Sequence, residues 1–596
     1  MLLGGKKKKT EKAGVLRRSQ LITTFGVGAI VDLPKESVII AGTDYWKDYE
    51  KYRINENSLQ KLLQVDYFVT PPGAKDEYGN PTDMGVPAFL FPTWMLCSKC
   101  KRLASAKKFG FTGYPRCEKC KVPLVPSRFV VACENGHLDD FPYEWWVHYG
   151  GRCKKKNQPE LSIEMSDQKS GLDGIKIICK SCGSERTMMG SFGVEALKGF
   201  KCTRRRPWLK DIDPGECDQT MRTMQRGATN LHFGVTVSAL SIPPWSKNIM
   251  IKINENWRNL KPFLDNKEIF TTLVSGWKWP EKLGCTADEI WEHALRKQEN
   301  DDNCDPKTWQ DILEDEYGAF LAGSTDEEGE FKTKTVEVPP IAAGYVDKVV
   351  LALRLREVMA LQGFTRIRSD YDMEDKDTFV KLSRDFKNWL PGVELKGEGI
   401  FIKLNEERLT RWENEEEIID RYKHITERKV LGMGKRRSIT PRYILLHTLA
   451  HLLIRQLTLQ CGYASASIKE RIYCSFTDSE KFKEMAGILI YTSANDSEGS
   501  LGGLVREGMT DRLDNTIRQM LEAASWCSSD PLCINSKGQG TDATNLAACH
   551  SCALLPETSC EIRNCYLDRA AVIGTFDNTV LGYFGPLLTA GESERR

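Results

Sequence analysis

Pairs of closely spaced cysteines constrain the fold of this chain more than any other feature of its sequence. The first two pairs, CSKC and CEKC, are separated by a short basic and aromatic loop, and their members are Cys97, Cys100, Cys117 and Cys120. A two-residue gap lets both thiolates of a pair converge on one tetrahedral ion, and two pairs complete a closed site with no position for water. We therefore predict a structural zinc site here. Ordinary buried thiols are the alternative, although this paired spacing is a specific signal.

A second predicted site begins with the pair in CKSCG and continues with two single cysteines; its ligands are Cys179, Cys182, Cys202 and Cys217. Gly183 suits the turn after the pair, because glycine tolerates a positive backbone φ. The last two ligands do not form a pair, so the spacing is less diagnostic than in the first site. Isolated buried thiols are again the alternative.

The stretch CENGHLDDFPYEWWVHYGGRC offers a mixed set of metal ligands, which are Cys133, His137, His148 and Cys153. Asp139 and Asp140 also supply the paired carboxylates that a hydrolytic centre uses. The same letters fit a capped turn followed by aromatic packing. We favour packing over metal binding here, and metal binding over catalysis.

A third predicted site lies near the C-terminus, where four cysteines occur within NLAACHSCALLPETSCEIRNCYLDR. Its predicted ligands are Cys533, Cys549, Cys552 and Cys560. Cys533 is preferred as the upstream ligand because it lies beside a proline turn, but Cys527 is an alternative, and Cys565 competes for the last place. Three closed sites would hold about three zinc ions per chain.

Composition indicates a globular protein of several domains. The chain has 596 residues, of which 41% are apolar and 28% charged, and this length calls for roughly three or four domains. At the N-terminus a basic run follows a very short apolar stretch, the reverse of a secretory signal. The apolar run 443–457 is interrupted by His447, His451 and Arg455, so we predict a buried helix there. We expect no membrane segment and a cytoplasmic protein, in which clustered thiols bind metal rather than form disulfides.

The predicted fold class is mixed α/β (α+β) and multidomain, with inserted zinc-ribbon-like modules and a C-terminal α/β domain closed by a four-cysteine zinc cluster. The predicted divisions are 1–90, rich in strands and loops; 91–225, the cysteine-rich insertion; 226–395, largely helical; and 396–596, the α/β domain. Within them, strands are predicted in 225–245, at 397–404 and at 487–494. A helix is predicted over 345–364, because valines and leucines recur there at helical spacing and Gly363 can cap its end.

We find no sequence motif that would make this chain an enzyme. The loop 495–503 lacks the lysine followed by serine or threonine of a phosphate-binding loop, and 430–438 lacks its spaced glycine. No serine occupies a Gly-x-Ser-x-Gly frame. The segment HTLAH resembles the helix of zinc proteases, but Thr448 replaces the catalytic glutamate. A metal-dependent nuclease or hydrolase that uses His447 and His451 is the alternative to a non-catalytic role.

Basic clusters favour nucleic-acid binding even though the net charge is only +2. The candidate residues are Arg204, Arg205, Arg206, Lys435, Arg436, Arg437 and Arg442. Arginines grip phosphate oxygens while neighbouring aromatic rings, such as Trp208 here, stack on bases. A solvated charged face is the alternative.

Several segments together resemble one protein family. They include LRRSQLITTFGVGAIVDLP (16–34), CENGHLDDFP (133–142), QRGATNLHF (225–233), HTLAHLLI (447–454) and AACHSCALLPETSCE (547–561). The resemblance is to the DrmB family of the bacterial DISARM anti-phage defence system. The C-terminal part is also similar to a helicase-associated domain that carries a cysteine cluster in certain DNA-repair helicases.

The resemblance implies a role beside a separate superfamily-two helicase, DrmA, as a heterodimer and with other DISARM components, in a complex that engages phage DNA. It places the C-terminal metal cluster on the same four cysteines preferred above, with Cys565 outside the pattern. It supplies no catalytic residues.

Overall fold

The structure is a computed structural model that describes residues 14–34, 36–73, 85–110, 115–155, 157, 159–166, 169, 171–302, 305–368, 377–426, 439–475, 484–492, 502–540 and 543–588. The chain forms two compact units, each built from separate segments. Unit one comprises Met1–Tyr52, Val69–Val237 and Ala360–Val393, and unit two comprises Arg53–Phe68, Ser238–Met359 and Glu394–Arg596. The four contiguous divisions predicted from sequence do not correspond one to one to these units and stay a prediction.

The strands of the N-terminal part are β1 (Ile30–Asp32), β2 (Ser37–Ile40), β3 (Arg53–Ile54), β4 (Tyr67–Val69), β5 (Ala88–Leu90), β6 (Trp94–Cys97), β7 (Arg102–Ser105), β8 (Leu124–Pro126), β9 (Phe129–Ala132) and β10 (Leu138–Asp140). The helices of this part are α1 (Asn57–Leu63) and α2 (Tyr143–Val147). The strands that follow are β11 (Leu161–Met165), β12 (Ile175–Cys179), β13 (Glu185–Thr187), β14 (Arg205–Arg206), β15 (Asp211–Ile212), β16 (Arg222–Gln225) and β17 (Phe233–Leu240).

A helical stretch comes next, with α3 (Asn248–Glu255), α4 (Trp257–Leu260), α5 (Lys267–Gly276), α6 (Trp279–Leu283), α7 (Ala287–Asp302) and α8 (Trp309–Ala322). The later strands are β18 (Lys332–Val336), β19 (Val346–Thr365), β20 (Trp389–Leu404), β21 (Ile468–Tyr473) and β22 (Gly487–Thr492). The later helices are α9 (Glu406–Glu413), α10 (Glu416–Thr426), α11 (Pro441–Cys461), α12 (Gly503–Glu507), α13 (Thr510–Ala524) and α14 (Arg569–Ile573). The mixed α/β, multidomain class predicted from sequence is therefore confirmed.

Small antiparallel sheets organise unit one. The largest has the strand order β13-β12-β11-β7-β6-β8, and a second has the order β10-β9-β16. Cysteines stand where these strands end: Cys97 is the last residue of β6, Cys179 is the last residue of β12, and Cys133 directly follows β9. The sheets therefore deliver thiols from distant parts of the chain to the turns at their edges.

A larger sheet and one central helix organise unit two. The sheet has the strand order β17-β19-β20-β22-β21, with β18 pairing beside β19. Helix α11 begins at Pro441, where the Thr440 side chain accepts a hydrogen bond from the amide of Tyr443, and ends before Gly462, whose φ is +69°. Fifteen of its 21 side chains are buried. The predicted buried helix is confirmed, as are the strands predicted in 225–245, at 397–404 and in 487–494, of which 493 and 494 lie outside the described residues.

The helix predicted over 345–364 is wrong, because this segment is the long strand β19. Almost every residue of β19 is buried on both faces, so the alternation that identifies a half-exposed strand is missing and the valines happen to fit a helical spacing. Two of its charged residues, Arg356 and Glu357, are buried with partners. Arg356 pairs with Glu394 at 2.9 Å and with Glu330 at 3.0 Å. In the part of the chain that the structure describes, no helix combines the length and apolar character required to cross a membrane.

Candidate metal centres

The first predicted site is assembled as the sequence predicts, and we call it the knuckle-pair cluster. The ligand atoms of Cys97, Cys100, Cys117 and Cys120 all lie within 4.8 Å of one another. Both pairs use the same turn, in which the amides of Lys101 and Lys121 donate to the carbonyls of Cys97 and Cys117 at 2.9 and 2.7 Å. Both lysines have a positive φ, of 60° and 57°. The repeated turn aims all four thiols at one point.

The second group, the His137 cluster, consists of Cys133, His137, Cys202 and Cys217. Cys133 Sγ lies 3.8 Å from Cys202 Sγ and 3.9 Å from Cys217 Sγ, and Cys202 Sγ lies 3.5 Å from His137 Nδ1. The other ring nitrogen, Nε2, lies 3.4 Å from a carboxylate oxygen of Asp213. A carboxylate behind a metal-binding imidazole fixes its tautomer and orientation. Hydrogen bonding from Cys133, together with His137, lowers the pKa of Cys202 to about 4, which favours the thiolate that binds metal.

The third group, the His148 cluster, consists of His148, Cys153, Cys179 and Cys182. His148 follows α2, and its Nε2 lies 3.4 Å from Cys182 Sγ while its Nδ1 lies 2.6 Å from the carbonyl oxygen of Glu144. Cys153 Sγ and Cys179 Sγ are 3.9 Å apart. Gly183 has the positive φ predicted for the turn, +83°. These contacts mirror the His137 cluster, with a backbone carbonyl in place of the aspartate.

The structure thus divides the second predicted set between two groups, and this grouping is corrected. Cys179 and Cys182 join His148 and Cys153, whereas Cys202 and Cys217 join Cys133 and His137. The reason is strand pairing, because β16, just after Cys217, pairs with β9, which ends beside Cys133. The mixed set Cys133, His137, His148 and Cys153, for which packing was favoured over metal binding, is divided in the same way. Each group therefore draws one histidine-containing pair from upstream and one cysteine pair from downstream.

The fourth group, the C-terminal cysteine cluster, consists of Cys527, Cys533, Cys549 and Cys552. Its Sγ atoms approach at 3.5 Å between Cys527 and Cys549 and at 3.7 Å between Cys533 and Cys552. Asp530 stabilises the loop. Its carboxylate accepts a hydrogen bond from the Cys527 amide at 2.8 Å and pairs with the buried Arg569 at 2.7 Å.

The structure groups both Cys527 and Cys533 with Cys549 and Cys552, so the predicted ligand set is corrected. Cys527, which the sequence offered only in place of Cys533, takes the place of Cys560. Cys560 lies instead with His447, His451 and Glu470, a group that we call the buried histidine cluster. Cys565 belongs to none of the groups found among the described residues.

We call the four sets described above the thiol groups: the knuckle-pair cluster, the His137 cluster, the His148 cluster and the C-terminal cysteine cluster. Their dimensions fit zinc. Four sulfurs at the usual bond length of about 2.3 Å form a tetrahedron with edges of about 3.8 Å, and a sulfur and an imidazole nitrogen on one zinc lie about 3.5 Å apart. Sulfur–sulfur distances in these groups include 3.5 Å between Cys527 and Cys549 and 4.0 Å between Cys100 and Cys117. Disulfide sulfurs would be about 2.05 Å apart. The residues present therefore fit closed, four-ligand zinc sites, and two of these sites include a histidine, His137 or His148.

Where the structure describes them, the basic residues predicted to bind nucleic acid already form ion pairs with carboxylates or hydrogen bonds with carbonyl oxygens of this chain. Arg442 is buried and pairs with Glu406 and Glu413, each at 2.6 Å. This excludes Arg442 from an exposed DNA-binding face. Both glutamates precede the basic residues 435–442 in sequence, so a count of charges within that stretch did not include the partners of Arg442.

The arginines of CTRRRPW lie next to the His137 cluster. Arg206 pairs with Asp211 at 2.7 Å, Arg205 pairs with Asp139 at 2.9 Å, and the Arg204 side chain donates to the carbonyl of Gly215 at 2.8 Å. The side chain of Arg205 is half exposed, at 50%. The predicted residues Lys435, Arg436 and Arg437 lie outside the described residues.

Comparisons with known proteins give a family. Residues 17–233 match the model of a domain of unknown function, DUF8724, and residues 449–553 match the MrfA Zn-binding domain. A curated protein, "DISARM protein DrmB" of Bacillus paralicheniformis, is 33% identical over 591 residues, which cover 94% of this chain and 100% of that protein. The chain belongs to the DrmB family. The sequence-level resemblance is confirmed.

For this DrmB-family chain, the matched Zn-binding range contains all of the C-terminal cysteine cluster and ends before Cys560. The match therefore agrees with the ligand set found in the structure, and together they indicate that the chain binds metal. A solved structure, of the DUF1998 helicase MrfA bound to DNA, matches 35% of this chain and 22% of its own, at 10% identity and a TM-score of 0.15. A similarity this weak carries no structural argument.

Proposed function

We propose that this chain is a non-catalytic, zinc-stabilised DNA-binding subunit that partners a superfamily-two helicase of the DrmA type in DISARM defence against phage DNA. One observation carries the proposal: a chain of the DrmB family, whose curated relative is named a DISARM protein, contains a match to the MrfA Zn-binding domain. The domain occurs here in a sequence that lacks the phosphate-binding motifs of a motor. A helicase supplied by another chain would complete the pair.

The metal groups support a scaffolding role for zinc. In each thiol group the protein supplies four donors, and a zinc ion with four protein ligands has no position left for a reacting water. Zinc would supply folding free energy to modules with little apolar core, and these modules would be of the zinc-ribbon type. Reduced, metal-bound thiols also fit a cytoplasmic protein.

DNA contact is assigned in this proposal to the basic segment that includes Lys435, Arg436 and Arg437, together with the half-exposed Arg205. The segment joins α10 to α11, next to the helix that begins the matched zinc-binding range. Arg442 is left out because its charge is already balanced by two glutamates.

The alternative, a hydrolase that uses His447 and His451, finds no support in the contacts of these residues. Both side chains are 0% exposed, and the Thr448 hydroxyl, which stands where a zinc protease has its glutamate, accepts a hydrogen bond from the Asp568 amide at 3.0 Å. A hydrolytic centre needs a water-accessible ligand position.

Co-purification tests the proposal. The full chain is expressed with and without a DrmA-type helicase from the same source, and each sample is assayed for association, ATP hydrolysis and metal-dependent DNA cleavage. We expect a stable complex, ATP hydrolysis only when the helicase is present, and no cleavage by this chain alone. Lack of association, or cleavage by the purified chain that His447→Ala abolishes without unfolding it, would contradict the proposal.

A further inference from the structure

The buried histidine cluster is assembled from three elements of unit two. His447 and His451 stand one helical turn apart on α11, Glu470 lies in β21, and Cys560 lies in the segment between the C-terminal cysteine cluster and α14. Their exposed fractions are 0%, 0%, 2% and 7%. Four metal-binding side chains of three chemical types meet here at a place that solvent does not reach.

Three polar side-chain atoms of this cluster are buried without a hydrogen-bond partner among the described residues: His447 Nδ1, His451 Nε2 and Glu470 Oε2. His451 Nδ1 lies 2.8 Å from the carbonyl oxygen of Ala553, which can only accept, so Nδ1 carries a hydrogen. In the neutral imidazole the lone pair is then on Nε2, which faces Glu470 Oε1 at 3.4 Å. Two lone pairs that face each other in a buried site repel unless a cation lies between them.

The distances are those of ligands on one ion. His447 Nε2 lies 3.2 Å from Cys560 Sγ and 3.1 Å from Glu470 Oε1. On a tetrahedral zinc ion, with bonds of about 2.0 Å to nitrogen and oxygen and 2.3 Å to sulfur, such pairs are separated by about 3.5 and 3.3 Å. All four ligand atoms lie within 4.8 Å of one another, as in the thiol groups.

We propose that His447 Nε2, His451 Nε2, a Glu470 carboxylate oxygen and Cys560 Sγ bind a Zn²⁺ ion in a closed structural site that fastens α11 to β21 and to the C-terminal segment. One thiolate and one carboxylate balance the charge of the ion, so the centre is neutral. A neutral centre can be fully buried at a lower desolvation cost than a four-thiolate centre, which carries two negative charges.

The site is structural rather than catalytic because protein atoms fill all four positions. The Ala553 carbonyl behind His451 holds the imidazole in the tautomer that presents Nε2 to the ion, as backbone carbonyls do in other zinc sites. Ala553 directly follows Cys552 of the C-terminal cysteine cluster. The two metal centres are therefore joined through one residue and one hydrogen bond, and both stabilise the packing of α11.

Diffraction at the zinc absorption edge from crystals of the full chain tests the inference. We expect an anomalous peak among these four side chains, with bonds of about 2.0–2.3 Å, in addition to peaks in the thiol groups. Peaks in the thiol groups and none here would overturn the inference. A different metal at this position would overturn the choice of zinc.

Metal content of variants gives a second measurement. Cys560→Ser and His451→Ala should each lose one zinc ion per chain relative to the wild type. Cys565→Ser changes a nearby thiol that belongs to none of the clusters among the described residues, and it should lose none. Equal zinc content in Cys560→Ser and Cys565→Ser would overturn the inference. If Cys560→Ser fails to fold, the diffraction result on the wild-type chain decides. Neither measurement depends on whether the chain binds DNA or a helicase, so the proposed function can fail while this inference stands.

Discussion

His447 Nε2 lies 3.2 Å from Cys560 Sγ, although 113 positions separate the two residues in the chain. Sequence spacing had assigned Cys560 to the nearby pair Cys549 and Cys552. In the structure Cys527 lies with that pair, whereas Cys560 lies beside His447 and His451 on α11, the central helix of unit two. The C-terminal segment is therefore attached both to the C-terminal cysteine cluster and to α11, and several consequences can be measured.

The division of the second predicted cysteine set can be tested with a double variant. Cys182 belongs to the His148 cluster and Cys217 to the His137 cluster. Cys182→Ser combined with Cys217→Ser should therefore lose two zinc ions per chain, whereas a single shared site would lose one. Inductively coupled plasma mass spectrometry on folded, monodisperse protein measures this difference. Cys285→Ser, outside the described clusters, is the control and should lose none.

The buried ion pair between Arg471 and Glu316 should be a major determinant of stability in unit two. The Arg471 Nη1 atom lies 2.6 Å from Glu316, which also accepts from the Tyr473 hydroxyl at 3.0 Å and the Leu240 amide at 2.8 Å. Glu316→Ala leaves a buried guanidinium without its main partner and should cost about 3–5 kcal/mol in the free energy of unfolding. Urea denaturation of the wild type and the variant measures this loss in the free energy of unfolding.

The matched control for Glu316→Ala is Glu195→Ala, which breaks an exposed pair with Lys198 at 3.0 Å. This substitution should change the free energy of unfolding by no more than about 0.5 kcal/mol, because solvent screens exposed pairs. Similar effects of the two substitutions would show that the Arg471 pair is not desolvated as the structure indicates.

His232 should remain neutral far below the usual range of histidine. Burial, followed by the nearby positive charge of Arg366, lowers its pKa to about 3, and its Nε2 lies 3.1 Å from the carbonyl oxygen of Val27. Between pH 6.5 and 3 the unfolded chain binds a proton that the folded chain does not. Stability therefore falls as the pH decreases through this window, by at most about 1.4 kcal/mol per pH unit.

Histidine ring signals in an NMR titration check this pKa, since the chain has only eight histidines and His232→Gln assigns the signal. The ring should keep the chemical shifts of a neutral imidazole down to pH 4. A titration midpoint near 6.5 would contradict the buried environment described for His232.

Charge reversal tests the basic segment assigned to DNA. Arg436→Glu with Arg437→Glu should weaken DNA binding and reduce the salt dependence of the binding constant by about two counterions, since each lost phosphate contact removes roughly one. The control pair, Lys278→Glu with Lys282→Glu, changes the net charge equally at exposed lysines. Equal losses in both variants, or none in the first, would remove this segment from the interface.

Local signals predicted the elements that local interactions determine. The knuckle-pair cluster follows from two short turns, and α11 follows from an apolar run between a proline at its first turn and a glycine after its end. The sequence of each segment was sufficient to predict the knuckle-pair cluster and α11, because both depend mainly on residues close together in the chain.

Distant contacts explain what the sequence did not predict. Strand β19 is covered on both faces, so its pattern resembles a helix, and Arg442 finds its glutamates on α9. Glu470 was absent from every predicted ligand set, although it is the one acidic residue between positions 428 and 471, a stretch otherwise rich in lysine and arginine. That contrast was a usable signal. The histidine-containing clusters each join pairs that are far apart in sequence, and spacing alone cannot match one pair to another.

Zinc content of the full wild-type chain, purified under reducing conditions without a polyhistidine tag, tests most directly whether closed metal clusters build this protein. The thiol groups predict four zinc ions per chain, and the buried histidine cluster raises the number to five. A folded, monodisperse chain with fewer than four zinc ions, and no other metal in their place, would contradict this account.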